Sequence, residues 1–320
     1  MKKAFLIAAA ALLPLAAFAQ DSFPSKPIRL IVPYGPGGVS DTVGRIVATA
    51  LSKAMNNSVV VENHGGAGGT LGGNITAKSA PDGYTVLLTS PPMTAVAPNV
   101  IPNMPYNVST DLIPIATVIT TPNILVVNND LPVKNIQELI AYAKGPGKGK
   151  LSFGSSGPGS TGHLSAAILM GSVGIDMQHV PYKTSAAAFP DVISGRVSMA
   201  FDSLPSTIGF VKGGKVRPIL VMSEKRSILL PEVPTAAESG YPQATMNFWM
   251  GIEGPAGIPA PVVDKIAAGL KQVVASQEAR EQFKTVGAEA FYTTPAEFKT
   301  LRDADIVKYG KLVQQLGLKQ

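Results

Sequence analysis

The stretch KLSFGSSGPGSTGHLSAAI, Lys150 to Ile168, changes character twice. Leu151-Ser152-Phe153 has the look of the end of a short buried strand. Gly154 to Gly162 is a loop of four glycines, one proline and four hydroxyl side chains. From Thr161 onward Leu164, Ala167 and Ile168 recur at helical spacing. A strand that feeds a glycine-rich turn into a helix leaves N–H groups unpaired at the positive end of the helix dipole, a ready place for an anion. Glycine lets a ligand approach the backbone, and Ser155, Ser156, Ser160 and Thr161 add neutral donors. The loop reads as a seat for one carboxylate. A capped turn that holds no ligand is the plain alternative.

Two sharper motifs are weaker here. Gly157-Pro158-Gly159-Ser160-Thr161-Gly162 fits GxGxxG, but that fingerprint wants an acid at the end of the next strand for a ribose. The next strand, Met177 to Tyr182, leads into Lys183, the wrong charge. GxSxG fails because Pro158 follows Gly154-Ser155-Ser156-Gly157.

Upstream, Ile28 to Tyr34 (IRLIVPY) is a near-continuous apolar run, as in a strand buried on both faces. It feeds Gly35-Pro36-Gly37-Gly38 and then a helix through Ile46, Val47, Ala50 and Leu51. Asp41 and Arg45 stand four apart, so Asp41 is either a first-turn helix residue paired with Arg45 or a ligand group. Val59 to Val61 and Thr85 to Thr89 are further strands, with Ser90 at the C-terminal end of the latter. Strands alternating with helices give a parallel α/β sheet, whose ligands bind beyond strand C-terminal ends. Tyr34 to Gly38, Ser90 and the Gly154 loop all occupy such ends.

Ile113 to Asn128 is extended and carries Pro114 and Pro122, which suits a crossing between domains, and Phe248 to Ile252 reads as the crossing back. Between them lie the strand His179 to Tyr182, the helix Ala186 to Ile193 and the strand Val197 to Phe201, which ends in Asp202-Ser203. The final helices, about Val262 to Ser276, Glu278 to Val286 and Pro295 to Gln315, are expected on the first domain. A chain of 320 residues is long for one core. The expected division is a first domain of residues 20–121 plus 248–320 and a second of 122–247, with the ligand cleft between them.

Residues 1–19 read as a secretory signal peptide: Lys2 and Lys3, a short apolar core from Ala4 to Phe18, and Ala17-Phe18-Ala19 as the cleavage signature. That core is too short to span a bilayer. With no cysteine there is no lipidated N-terminal Cys, disulfide or thiolate metal site. The expected location is the periplasm, with cleavage after Ala19. Without Lys2 and Lys3 there are 25 basic against 21 acidic side chains, a net charge of +4. That is too mild and scattered for nucleic acid, and compatible with an anionic ligand.

Lys26 to Tyr34 with Gly37-Gly38, Asp41 and Arg45 resembles the opening of the Bug-type (TctC-like) receptors of tripartite tricarboxylate transporters. So do Val61-Glu62-Asn63 with Gly65 to Gly69, Pro81 to Thr85, Gly154 to Gly157 with His163, His179 to Lys183, and Phe201-Asp202. Leu230 to Thr235, Glu238-Ser239-Gly240 and Gly254 to Gly257 extend the resemblance over essentially the whole mature chain. It implies a two-domain type II periplasmic-binding-protein fold that closes on small carboxylated molecules. The loops matching Tyr34–Gly38 and Ser155–Thr161 would hold the ligand, partly through water. Thr184 stands where that family usually has glycine, so the turn after Lys183 is expected to differ. The expected partners are a small carboxylate and membrane permease subunits, with no cofactor, no metal and the chain a monomer.

The remaining candidates each have two readings. His163 either orients the loop or touches an anion. Asp202 either pairs a cationic group such as an ammonium or caps the following helix. Tyr34 and Tyr182 either stack on a ligand or line the cleft, and Lys183 either meets a second carboxylate or is solvated. Of His64, His163 and His179, none is paired at metal-ligand spacing. Catalysis wants a nucleophile, a base and an orienting acid, and the loop serines have only His163 nearby in sequence. A receptor that delivers its ligand to a transporter is therefore the leading reading, ahead of a ligand sensor for a membrane histidine kinase and of an enzyme.

Overall fold

The computed structural model describes residues 23–317 apart from Pro102 and Lys183. The expected signal peptide and Lys183 lie outside the described residues. The first unit runs β1 (Ile28–Val32), α1 (Val39–Met55), β2 (Val59–Asn63), α2 (Thr70–Ala77) and β3 (Thr85–Thr89). β1 lies parallel between β2 and β3. Its alternation sorts side chains by face: Ile28, Leu30 and Val32 join one core cluster, while Ile31 joins another with Leu87 and Met93.

After β3 come a π-helical turn at Pro92–Val96, then α3 (Ala97–Val100), α4 (Val108–Asp111) and the long β4 (Leu112–Val127). The second unit adds α5 (Ile136–Lys144), β5 (Ser152–Ser155), α6 (Thr161–Val173), β6 (Gln178–Pro181), α7 (Ser185–Ile193), β7 (Met199–Ser203), α8 (Leu204–Lys212) and β8 (Arg217–Val221). Here β5 lies parallel between β6 and β7. The chain returns along β9 (Asn247–Pro255) and ends with α9 (Ala260–Ala275), α10 (Gln277–Thr285), β10 (Glu289–Ala290) and α11 (Pro295–Gln315).

β4 is common to both lobes. Leu112 to Pro122 pairs antiparallel with β9, and Ile119 and Thr120 also with β10. Asn123 to Val127 pairs instead with β7 and β8. The partners change at Pro122, a residue with no N–H to give to a ladder. In the second lobe Leu125 and Val127 face one core cluster, and Ile124 and Val126 the other. Helices α9 and α10 pack on the first lobe, whereas α11 also reaches the second. Its Tyr309, Leu312 and Val313 share a cluster with Ala95 and Val96 from the first lobe and Leu164 and Ala167 of α6. Helix packing alone did not show this in the sequence, because α11 carries apolar residues on more than one face.

The strand order sets the site. β1 and β5 are each the central strand at which their lobe's order reverses, and such switch points open a crevice beyond the strand ends. The loops after β1 and β5 are Tyr34–Gly38 and Ser155–Thr161.

Candidate functional site

The loop after β1 is held by one carboxylate. Gly37 takes φ +87°, a backbone that suits glycine, and its N–H donates to Asp41 Oδ2 at 2.9 Å. Arg45 Nε donates to the same oxygen at 3.1 Å, and Asn63 Nδ2 donates to Asp41 Oδ1 at 3.0 Å and to the Tyr34 carbonyl at 3.1 Å. Arg45 foremost, then the Gly37 N–H, lowers the Asp41 pKa to about 2. Asp41 is thus spent on shaping the loop, and its charge is balanced by Arg45. Among the described residues nothing takes the N–H groups of Gly38, Val39 and Ser40, the start of α1. A Cβ added at Gly35, Gly37 or Gly38 would meet nothing within 4 Å, so the loop's outer side is open.

Tyr34 turns its hydroxyl inward. That oxygen lies 3.4 Å from where a Cβ on Gly69 would stand. Burial pushes the phenol pKa up, and Ser90 beside it pulls the other way. Ser90 is buried at the end of β3, and its carbonyl accepts the Met93 and Thr94 N–H groups at 3.0 and 3.1 Å. The π-helical turn that follows ends on Val96, whose Cγ1 lies 3.5 Å from a Cβ position on Gly159. Tyr34, Ser90, this turn and Gly159 therefore form a continuous wall from one lobe to the other.

In the second loop, Gly157 and Gly159 take φ +105° and +75°. Ser155 is buried and sits at the hub. Its Oγ lies 2.7 Å from His179 Nε2, accepts the Gly157 N–H at 3.1 Å and accepts from Ser160 Oγ at 3.2 Å. Ser160 caps α6, taking the His163 N–H at 3.3 Å. The Gly159 N–H donates to His163 Nδ1 at 3.1 Å. The His163 and His179 rings stack at 4.1 Å with 9° between planes, and Phe153 stacks on His179 at 4.8 Å. Burial first, and His179 second, lowers the His163 pKa to about 4. By contrast Ser156 is exposed, and its N–H and that of Thr161 have no partner among the described residues.

The other expected residues are placed as follows. The Tyr182 hydroxyl donates to Asp191 Oδ2 at 2.6 Å, and burial, with this bond, pushes its pKa up to about 12. Its ring lies against Gly154, so it walls the loop from below. Asp202 is buried at the end of β7, where its Oδ1 accepts the Ser203 N–H at 2.7 Å. Gly162 is a close-approach point: a Cβ there would stand 2.1 Å from the Phe201 carbonyl oxygen.

Three residues have a part in the site that sequence did not assign them. Asn63 ties Asp41 to Tyr34. Asn123, on the shared strand, donates to Ser165 Oγ at 2.6 Å and to the Thr161 carbonyl at 3.2 Å, fastening the first turn of α6. His179 faces Phe153 across the parallel β5–β6 pair, a register that spacing alone does not give. The Ser155–His179 distance is that of a nucleophile and base. Yet Ser155 is buried and committed to Gly157 and Ser160, and among the described residues no carboxylate orients His179. The described residues also hold no group of three His, Asp or Glu side chains placed for a metal ion.

Two open helix starts on facing lobes are the geometry of a receptor cleft. Residues 43–318 match the family described as the tripartite tricarboxylate transporter family receptor, TctC. The chain belongs to that family. It is 33% identical over 301 residues to Protein BugT of Bordetella pertussis, covering 93% of this chain and 92% of that one. Among solved TctC-like structures, the periplasmic binding protein BugD is 33% identical with a TM-score of 0.75, covering 93% of this chain and 99% of that one. An R. palustris protein solved with adipate is 31% identical with a TM-score of 0.79, covering 92% of this chain and 98% of that one. The TctC chain thus has the two-domain α/β fold of a type II periplasmic binding protein, and its relatives are solute-binding proteins rather than enzymes.

Proposed function

We propose that this protein is a periplasmic receptor that closes its lobes on a small carboxylated molecule and delivers it to the membrane permease of a tripartite tricarboxylate transporter. The ligand is a di- or tricarboxylate, an aromatic acid or an acidic amino acid. The observation that carries this reading is the division of donors in the Ser155–Thr161 loop. Gly157 and Gly159 spend their N–H groups inside the loop, while those of Ser156, just after β5, and of Thr161, at the start of α6, are left without a partner among the described residues. A carboxylate there would gain charge-assisted bonds and the helix dipole. The Gly38–Ser40 amides of α1 offer the same on the facing lobe, and a relative from R. palustris solved with adipate, a dicarboxylate, supports the reading.

On this reading the lobes hinge where the chain crosses at Pro122 and Asn247, and residues 1–19 are removed on export. Isothermal titration with adipate, malate, citrate, benzoate and glutamate tests the ligand class, and N-terminal sequencing of the exported protein tests the cleavage. Saturable binding of at least one acid is expected, with a mature chain that starts at Gln20. Binding of none of them by correctly folded protein overturns the receptor reading.

A further inference from the structure

A loop with two glycines at positive φ does not hold itself, because glycine has the most backbone freedom to lose. Within residues 155–161 the Ser155 hydroxyl donates to the Gly157 carbonyl and the Ser160 hydroxyl to Ser155 Oγ. Three backbone N–H bonds add to these: Ser160 N–H to the Gly157 carbonyl, Gly157 N–H to Ser155 Oγ, and Gly159 N–H to His163 Nδ1. The last of these uses a ring whose plane is fixed from outside. His179 stacks on it at 4.1 Å, Phe153 backs His179, and Ser155 Oγ holds His179 Nε2 at 2.7 Å.

We infer that His163 is a positioning residue of the ligand loop: its unprotonated Nδ1 takes the Gly159 N–H and so decides which backbone donors face the cleft. This rests on the receptor reading of that loop. With Gly157 and Gly159 committed inward, the anion meets Ser156 and Thr161 instead, which sets where a carboxylate sits relative to α6. A neutral ring accepting at Nδ1 carries its proton on Nε2. Once protonated, the ring has a hydrogen at both nitrogens and can no longer accept from Gly159. Of the ionisable groups near this loop, His179 on β6 disfavours a second positive charge on the ring. Asp202 follows Phe201, whose carbonyl lies against Gly162, and Tyr182, bonded to Asp191 of α7, lies against Gly154. Lys183 lies outside the described residues.

The test compares wild type with His163→Phe, which keeps a ring to stack on His179 but has no acceptor, and His163→Asn, whose Oδ1 stands near the place of Nδ1. Amide exchange at Gly159, followed by NMR without ligand, is expected to be slow in wild type and in H163N and fast in H163F. Adipate is the binding probe. H163F should bind it roughly ten- to a hundredfold more weakly than wild type, and H163N should recover most of that loss. Below about pH 5 the advantage of wild type over H163F should shrink as Nδ1 gains its proton. Equal Gly159 exchange in all three proteins overturns the inference, as does H163F binding adipate like wild type. If wild type binds none of the acids, the receptor reading fails, and Gly159 exchange still decides the role of His163.

Discussion

Asp41 takes the Gly37 N–H at 2.9 Å, so a carboxylate fixes the very turn that is proposed to receive a carboxylate. It can do so because Arg45 cancels its charge and Asn63 holds its other oxygen. Asp41→Ala should therefore loosen residues 34–38 and weaken adipate binding by about tenfold, one or two hydrogen bonds' worth. Asn63→Ala should act in the same direction, and the double variant should fall short of the sum because both serve one network. Titration calorimetry on the three variants reads this directly. D41A with wild-type affinity would show that the turn stands without its anchor.

Acid should weaken the fold through His163 before it touches Asp41. The His163 pKa is about 4 in the fold against an ordinary 6.5, so between those values the unfolded chain holds a proton that the folded chain does not. Stability from this group is complete above pH 6.5 and declines as pH falls towards 4, by about 3 kcal/mol at most. Asp41, with its pKa near 2, loses its contribution only as pH falls from 3.8 through that value. Urea midpoints between pH 7.5 and 4.5 should drop less steeply for H163N than for wild type. Parallel slopes would assign the acid sensitivity elsewhere.

The hydroxyls of the second loop should divide by role. Ser156→Ala and Thr161→Ala should weaken carboxylate binding with little change in melting temperature, since neither side chain is used inside the loop. Ser155→Ala should cost stability, roughly 1–3 kcal/mol, because it strands His179, Gly157 and Ser160 at once. If S155A melts like wild type while S156A does not, the division is inverted.

Gly162 is required by closeness. With Cβ 2.1 Å from a β7 carbonyl, Gly162→Ala must push α6 off the strand, an overpacking cost of about 1–3 kcal/mol. The melting temperature checks it, and an unchanged value would mean that α6 can shift freely.

Trp249 is the chain's single tryptophan, and it sits on β9 beside the shared strand. Its Nε1 donates to Asp305 Oδ2 at 2.7 Å, and its ring meets Phe298 edge-on at 4.9 Å. It also lines a cavity of about 340 Å³ between the lobes with Thr120 and Pro122. Closure on a ligand should shift its emission. A spectrum that does not move at saturating adipate would place the hinge motion away from β9.

Much of the fold was legible because its signals are local. Apolar runs marked β1 and β3, and residues 113–128 were read as one extended stretch, which β4 is. The glycine loops after β1 and β5 stood out because strained turns need glycine wherever they occur. What could not be read were the partners fixed by register. His179 reaches Ser155 only because β6 lies parallel beside β5, and Asn123 reaches α6 only because β4 continues into the second lobe. Nor did sequence distinguish a donor aimed at a ligand from one spent within the loop, since Gly157, Gly159 and Ser156 are equivalent on paper.

The position of β9 has a consequence for how the molecule is made. It lies between β3 and β4, so the sheet begun by the first hundred residues has a gap that only residues 247–255 can fill. Until that segment arrives, β3 and the Leu112–Pro122 half of β4 each present an open edge of unpaired backbone groups. Early native structure in the amino-terminal part is therefore disfavoured, and the second lobe, contiguous in sequence, is the part able to form first. The sheet of the first lobe closes only when β9, nearly four-fifths of the way along the chain, takes its place between β3 and β4, and β10 is added to β4 after it.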